Sequence, residues 1–376
     1  HSHRAMAPGG RRRQQWPPFT LLLLGLVLLV LCYRLISGPV PSAPSSPMRQ
    51  TAFEGPPLDG LETEMSAALP LCAIADLHGD LVHTLEALRL CGLVDEHGHW
   101  SAGSRRAVQL GDVLDRGNAS IATLEKLWEL RDEAAAAGGE FTLLIGNHEL
   151  MNMQGRLFYV HGYARRGGQH SGELARIGGE VVWRQRLDPH TGDIGRRLVD
   201  QPAVVVRGEG ECRTMFVHAG VRFRDAEKYK TVEALNRALR EQILQGSGEL
   251  LDSREGPLWW RGYARPHGSG ARESDICKEI KSTAELYGAR RMAVGHNIVP
   301  WISTRCAGTL QMLDVGMSSA YGGQPTAWRC DLIGGEARIR ALYPVHEEAP
   351  PELCSRCSLA SPLSRDWSEC RDYCQR

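Results

Sequence analysis

The sequence predicts a mixed α/β (α+β) protein, a mostly mixed sheet system with helices on its outside. Three observations carry that reading. From Leu69 onward, short apolar runs rich in Val, Ile and Leu alternate with stretches whose apolar residues recur at helical spacing. The run from Thr326 to Tyr343, turned at Gly334-Gly335, reads as an antiparallel pair. Finally, five apolar runs are each followed at once by a short block of metal-ligand residue types. That repeat would bring all five blocks to one edge of a sheet, where open α/β proteins build their sites.

The first segment lies apart from that fold. Arg4, Arg11, Arg12 and Arg13 precede an apolar run from Phe19 to Tyr33, and the first acidic residue is Glu54. Continued past Arg34 to Ile36, the run would span about 27 Å as a helix, which suits a thin bilayer. The arginines before it favour a cytoplasmic amino terminus, so residues 1–36 read as a cytoplasmic tail and a transmembrane signal-anchor. A cleaved signal peptide is the alternative. An organelle transit peptide fits less well, because the run is apolar all round rather than amphipathic. Residues 37–68 are rich in Pro and Ser, cannot bury enough apolar surface to fold, and read as a linker. The expectation is a single-pass membrane protein whose catalytic part lies in the lumen or outside the cell.

Residues 69–345 read as one catalytic domain. Strand patterns cover 69–75, 107–110 and 141–145, and helix patterns cover 80–93 and 121–137, with Leu81, Leu85, Leu88 and Cys91 on one face of the first. Residues 154–200 are Gly- and Arg-rich with weak periodicity, and read as an insertion over the site, where substrate selection usually resides. Strands resume at 203–206 and 214–217. Helices follow over 232–244 and 274–287, then strands at 291–294 and 311–313. Asp314-Val315-Gly316 reads as a turn, with a further site-edge element as the alternative.

Lys plus Arg and Asp plus Glu both total 44. No excess of positive charge is present to collect nucleic acid by counterion release, so no nucleic-acid partner is expected. Eleven cysteines are many for a cytosolic enzyme and ordinary for a secretory one. Cys354, Cys357, Cys370 and Cys374, in the tail of residues 346–376, read as disulfide formers, with a zinc knuckle as the alternative. Cys72 and Cys91 fall in apolar patterns and read as buried small hydrophobes.

The blocks are Asp76-Leu77-His78-Gly79-Asp80, Gly111-Asp112-Val113-Leu114-Asp115-Arg116-Gly117, Gly146-Asn147-His148-Glu149, His218-Ala219-Gly220 and Gly295-His296. Asp76 and His78 lie two apart at a strand end and could converge on one ion. Asp112 could bridge to a second ion held by Asn147, His218 and His296. Two Asp, one Asn and three His make a mixed oxygen and nitrogen set sufficient for two divalent ions, and Mn, Fe and Zn all accept it. Any one of these residues alone would more often be a helix cap or a structural histidine; the combination points to a two-metal hydrolase.

In this order the blocks resemble the G-D-x-H-G, G-D-x-x-D-R-G, G-N-H-E, H-G-G and final G-H signatures of the calcineurin-like metallophosphoesterase superfamily, phosphoprotein phosphatase type. The stretch Gly146 to Met153, with Gly155 and Tyr159-Val160 after it, is similar to the Shewanella-like protein phosphatases. The resemblance covers about residues 69 to 343 and implies a central β-sandwich of mixed sheets flanked by helices, with metals at its rim. It implies that Asp76, His78 and Asp112 hold the first ion and Asp112, Asn147, His218 and His296 the second, with a hydroxide between them as nucleophile. His148 would be the general acid, oriented by Asp115. Arg116 and Arg261 would bind the phosphoryl oxygens, although Arg261, beside Trp259 and Trp260, could instead stack on a ring. Three positions depart from the signatures: Ala75 for a Gly, Ala219 for a Gly and Asn297 for a Thr.

The function so implied is a dinuclear-metal phosphomonoester hydrolase, with phosphorylated protein or a small phosphoester as substrate. A dinucleoside polyphosphate hydrolase shares these motifs and is the alternative enzyme. An inactive phosphate-binding scaffold is the alternative of another class.

Overall fold

The computed structural model describes residues 69–165, 168–265 and 272–344. The apolar run of residues 19–36, the linker of 37–68 and the four terminal cysteines lie outside these. Among the described residues, no helix is long and apolar enough to cross a membrane.

Two five-stranded mixed sheets form the centre. The first has the order β10-β9-β1-β2-β3 and the second β4-β5-β6-β8-β7. In the first, β1 (Leu71–Ile74), β2 (Arg106–Gln109) and β3 (Glu140–Leu143) run parallel, and the hairpin of β9 (Ala327–Ile333) and β10 (Glu336–Leu342) adds antiparallel at the β1 side. In the second, β5 (Thr214–Val217), β6 (Arg291–Val294) and β8 (Leu310–Met312) run parallel. They are flanked by antiparallel β4 (Val204–Arg207) and β7 (Ser303–Arg305).

The strand period of two assigns each side chain its layer. Leu71, Ala73 and Ala75 join Val108, Phe216, Ala293 and Trp328 in a core shared by both sheets. Their neighbours Cys72 and Ile74, like Met215, Val217, Met292 and Val294, belong to the larger core with the helices. Strands buried on both faces have near-continuous apolar sequences, which is why they were legible as short runs. The helices Leu81–Leu90 and Ser120–Ala136 serve the first sheet, and Val232–Gln245 and Glu273–Leu286 the second. The result is the expected sandwich of mixed sheets flanked by helices.

Residues 154–200 are less of an insertion than their composition suggests. They form three short helices, Gly172–Arg176, Gly179–Leu187 and Gly195–Val199. Leu174, Trp183, Leu187, Ile194 and Leu198 enter the main core. Helices of one or two turns are too short for periodicity to register, and Gly178 and Gly179, both at positive φ, interrupt the pattern.

The reading of Cys72 and Cys91 as separate hydrophobes is corrected. Both are buried, but they are joined in a disulfide, with Cα atoms 6.2 Å apart. Periodicity reports burial and not partner: residue 72 of β1 faces the helix layer, where Cys91 ends the helix Leu81–Leu90. Two further disulfides are Cys212–Cys330, which ties the start of β5 to β9, and Cys277–Cys306. Cys212–Cys330 closes a separation of 118 residues. Replacing both with alanine is expected to remove about 4 to 5 kcal/mol of folding stability, by the loop entropy returned to the unfolded chain. The measurement is the urea midpoint, and an unchanged midpoint would refute the bond's contribution.

Candidate dinuclear metal centre

All five blocks sit at carboxyl ends of parallel strands, but not of one sheet. Asp76, Asp112 and Asn147 follow β1, β2 and β3, whereas His218 and His296 follow β5 and β6. The expected single sheet edge is thus the shared rim of two facing sheets. Asp314, just past the end of β8, is a sixth member.

The backbone at this rim is unusual. His78, Asp112, Asp115, Arg116 and His296 all have positive φ, between 46° and 74°. Non-glycine residues adopt such angles at a cost of about 1 to 3 kcal/mol each, and they gather where a site demands it. Two glycines allow the close approach. A Cβ on Gly146 would lie 2.3 Å from Asp112 Oδ1, and one on Gly295 2.3 Å from Asp76 Oδ1.

Hydrogen bonds set which histidine nitrogen faces the centre. His78 Nδ1 donates to the Leu114 carbonyl at 3.2 Å and His218 Nδ1 to the Leu110 carbonyl at 2.9 Å. A carbonyl can only accept, so both rings carry their proton on Nδ1 and present the Nε2 lone pair inward. His218 Nε2 lies 2.9 Å from Asn147 Oδ1 and 3.3 Å from Asp112 Oδ1. His296 Nε2 is buried and has no hydrogen-bond partner. Its backbone N–H donates to the Asp76 carboxylate, at 3.1 Å to each oxygen.

Two donor groups result, His78 with Asp112 and His148, and Asp112 with His218 and His296. Within each group the donor atoms lie within 4.8 Å of one another, and Asp112 belongs to both. The shared carboxylate is the one the resemblance implied as a bridge. Asp76 belongs to neither of these two groups, and its carboxylate is held by the His296 backbone N–H.

Charge is crowded here. Burial, then the carboxylates of Asp314 and Asp112, push Asp76 well above the usual carboxylate range. Burial, then Asp112, raises Asp314 to about 6, with the Gly316 N–H opposing. Asp112 is also buried, but His218, His148 and His78 outweigh burial and hold it well below that range. Burial, then His148, depresses His78 to about 3. An unpartnered inward imidazole nitrogen and several buried carboxylates are what cations would satisfy, so the residues fit divalent metal ions.

Beside the shared carboxylate stands a dyad. His148 Nδ1 is 2.5 Å from Asp115 Oδ2, and His148 Nε2 is 3.9 Å from Asp112 Oδ2. Burial works against a charged ring at His148, yet Asp112 and Asp115 raise its pKa above the ordinary value. Arg116 lies 4.0 Å over the Tyr159 ring, with Tyr321 beyond at 5.8 Å. Arg261 does not stack on its tryptophan neighbours, which are covered by Arg156 and Arg222. Instead its Nη1 donates to the His296 carbonyl and to Asn297 Oδ1. Asn297, where the signature has Thr, therefore holds an arginine at the rim. Ala75 and Ala219 are buried in the backbone around the blocks.

Sequence reasoning gave no role to Glu149. Its Oε1 accepts from the N–H groups of Val113 and Leu114, and its Oε2 from those of Asp112 and Gly146, at 2.8 to 3.0 Å. Its place three residues after a glycine at a helix start was the available signal, since a Glu there often reaches back to backbone N–H groups.

Comparison with known proteins agrees with this geometry. The chain is 27% identical over 259 residues to Shewanella-like protein phosphatase 1 of Plasmodium berghei, covering 66% of this chain and 67% of that protein. It is 45% identical over 100 residues to Shewanella-like protein phosphatase 2 of Arabidopsis thaliana, covering 27% of this chain and 26% of that one. Among solved structures, a cold-active protein tyrosine phosphatase superposes with a TM-score of 0.58 at 21% identity, covering 72% of this chain and 78% of that one, a likeness of fold. Residues 69–300 match the family model described as calcineurin-like phosphoesterase, and the chain belongs to that family as a metal-dependent phosphatase.

Proposed function

We propose that this phosphatase hydrolyses phosphomonoesters on phosphorylated protein side chains. The observation that carries the reading is the placement of the His148–Asp115 dyad against two donor groups that share Asp112. Asp76, His78 and Asp112 would hold one divalent ion, and Asp112, Asn147, His218 and His296 the other. Mn, Fe and Zn are the candidates for this donor set. When bound, such ions polarise the phosphoryl group and acidify the attacking water.

The side chains supply the rest. Arg116 and Arg261 bind the phosphoryl oxygens and meet their growing charge as the ester bond breaks. His148 gives its Nε2 proton to the leaving oxygen, so that a serine, threonine or tyrosine hydroxyl departs instead of an alkoxide or phenoxide. Asp115 keeps the ring oriented with Nδ1 protonated. The similarity to proteins named protein phosphatases supports a protein substrate. The test compares phosphopeptides with diadenosine tetraphosphate. Faster turnover of phosphopeptides is expected; preferential cleavage of the dinucleotide would overturn the reading, and no turnover of any phosphoester would indicate a scaffold.

The same proposal places the catalytic domain in an oxidising compartment, tethered through the apolar run of residues 19–36. Three disulfides in the described residues support that side of the membrane. In sealed vesicles the domain should resist added protease, and ready digestion would place it in the cytosol.

A further inference from the structure

The dyad is tied to a residue from the short-helix segment. Asn152 Nδ2 donates to Asp115 Oδ1 and to the His148 carbonyl, each at 2.9 Å. Asn152 Oδ1 accepts from Trp183 Nε1 at 2.8 Å. Trp183 and Asp115 are fully buried, and Asn152 is 1% exposed. Trp183 lies on the helix Gly179–Leu187, far along the chain from the Gly146-Asn147-His148-Glu149 block.

We propose that Trp183 and Asn152 are positioning residues for His148, acting through Asp115; the inference rests on the general-acid reading of His148. The indole N–H can only donate, so it fixes which end of the Asn152 amide faces it. The oxygen turns to Trp183 and the NH2 turns to Asp115. With the amide so held, Asp115 Oδ1 is occupied by a donor, which leaves Oδ2 to receive the His148 Nδ1 proton. Both carboxylate oxygens are then fixed, and with them the plane of the imidazole and the direction of its Nε2. Without the indole N–H, Asn152 Oδ1 is left buried with no donor, and the amide is held only at its NH2 end, by Asp115 Oδ1 and the His148 carbonyl. The amide is then free to tilt about those two bonds, and the carboxylate plane turns with it away from His148 Nδ1. Through Asn152, the helix Gly179–Leu187 thereby acts on the orientation of the general acid.

The predicted signature is dependence on the leaving group, because a good leaving group needs little help from an acid. Trp183→Phe keeps the buried ring and removes the donor; Asn152→Leu keeps the approximate shape of the amide and removes all three bonds. For each variant, kcat and KM are measured on para-nitrophenyl phosphate and on an alkyl phosphate, with metal content determined on the same sample. For both variants, kcat on the alkyl ester is expected to fall about tenfold or more and that on the nitrophenyl ester by about twofold or less, with KM and metal content unchanged. An equal fall on both esters, or no fall on either, would overturn the positioning role. His148→Asn is run beside them: if it too lacks the leaving-group dependence, the general-acid reading has failed instead. If Trp183→Phe does not fold, the Asn152→Leu comparison decides alone.

Discussion

His148→Asn is expected to lower kcat by about 10²- to 10⁴-fold, the usual contribution of a positioned general acid, while metal content stays near that of the unaltered protein. The geometry separates those two outcomes. His148 Nδ1 is committed to Asp115 at 2.5 Å, and its Nε2 stands 3.9 Å from Asp112 Oδ2. Its backbone N–H donates to Asp112 Oδ1 at 2.9 Å, and an asparagine retains that bond. The shared carboxylate therefore keeps its support while the proton donor is lost. Because His148 also falls within one of the two donor groups, the metal measurement is decisive. Loss of an ion in proportion to activity would make the residue a ligand and remove it from proton transfer.

The centre was legible in the sequence to the extent that its parts are contiguous. Each block couples a strand end to residues of metal-ligand type within a few positions, so Asp76, His78, Asp112, Asn147, His218 and His296 could be named as candidate ligands from the sequence. What was not legible depends on contacts between distant segments. The blocks divide between two sheets because β5 and β6 pair with each other rather than with β1, and no local pattern encodes that choice. Asp314 read as a turn residue, and it is one, since its Oδ1 accepts from Gly316 N–H. Its burial among the site's carboxylates follows only from the pairing of β8 with β6. Trp183 is a still clearer case: it lies in a segment of weak periodicity, and its partner Asn152 belongs to another helix. The pairing of Cys72 with Cys91 was hidden for a related reason, since a half-cystine and a buried free cysteine occupy the same apolar position.

Glu149→Ala is expected to cost about 4 kcal/mol or more of folding stability, with loss of the metal site. The carboxylate is fully buried and takes four backbone N–H groups, those of Asp112, Val113, Leu114 and Gly146. Each donor left unsatisfied in the interior costs about 1 to 3 kcal/mol, against a typical total stability of about 5 to 15 kcal/mol. Those same bonds help hold Asp112 at a φ of 54°, a conformation it would not keep unaided. Glu149→Gln distinguishes hydrogen bonding from volume, because it preserves shape but replaces one acceptor oxygen with an NH2 that meets two N–H donors. It should therefore lose metal nearly as completely as the alanine variant, despite filling the same space. Urea denaturation and metal content are read together. A glutamine variant with full metal content and a stability loss below about 1 kcal/mol would show that the backbone around Asp112 holds its shape without this carboxylate.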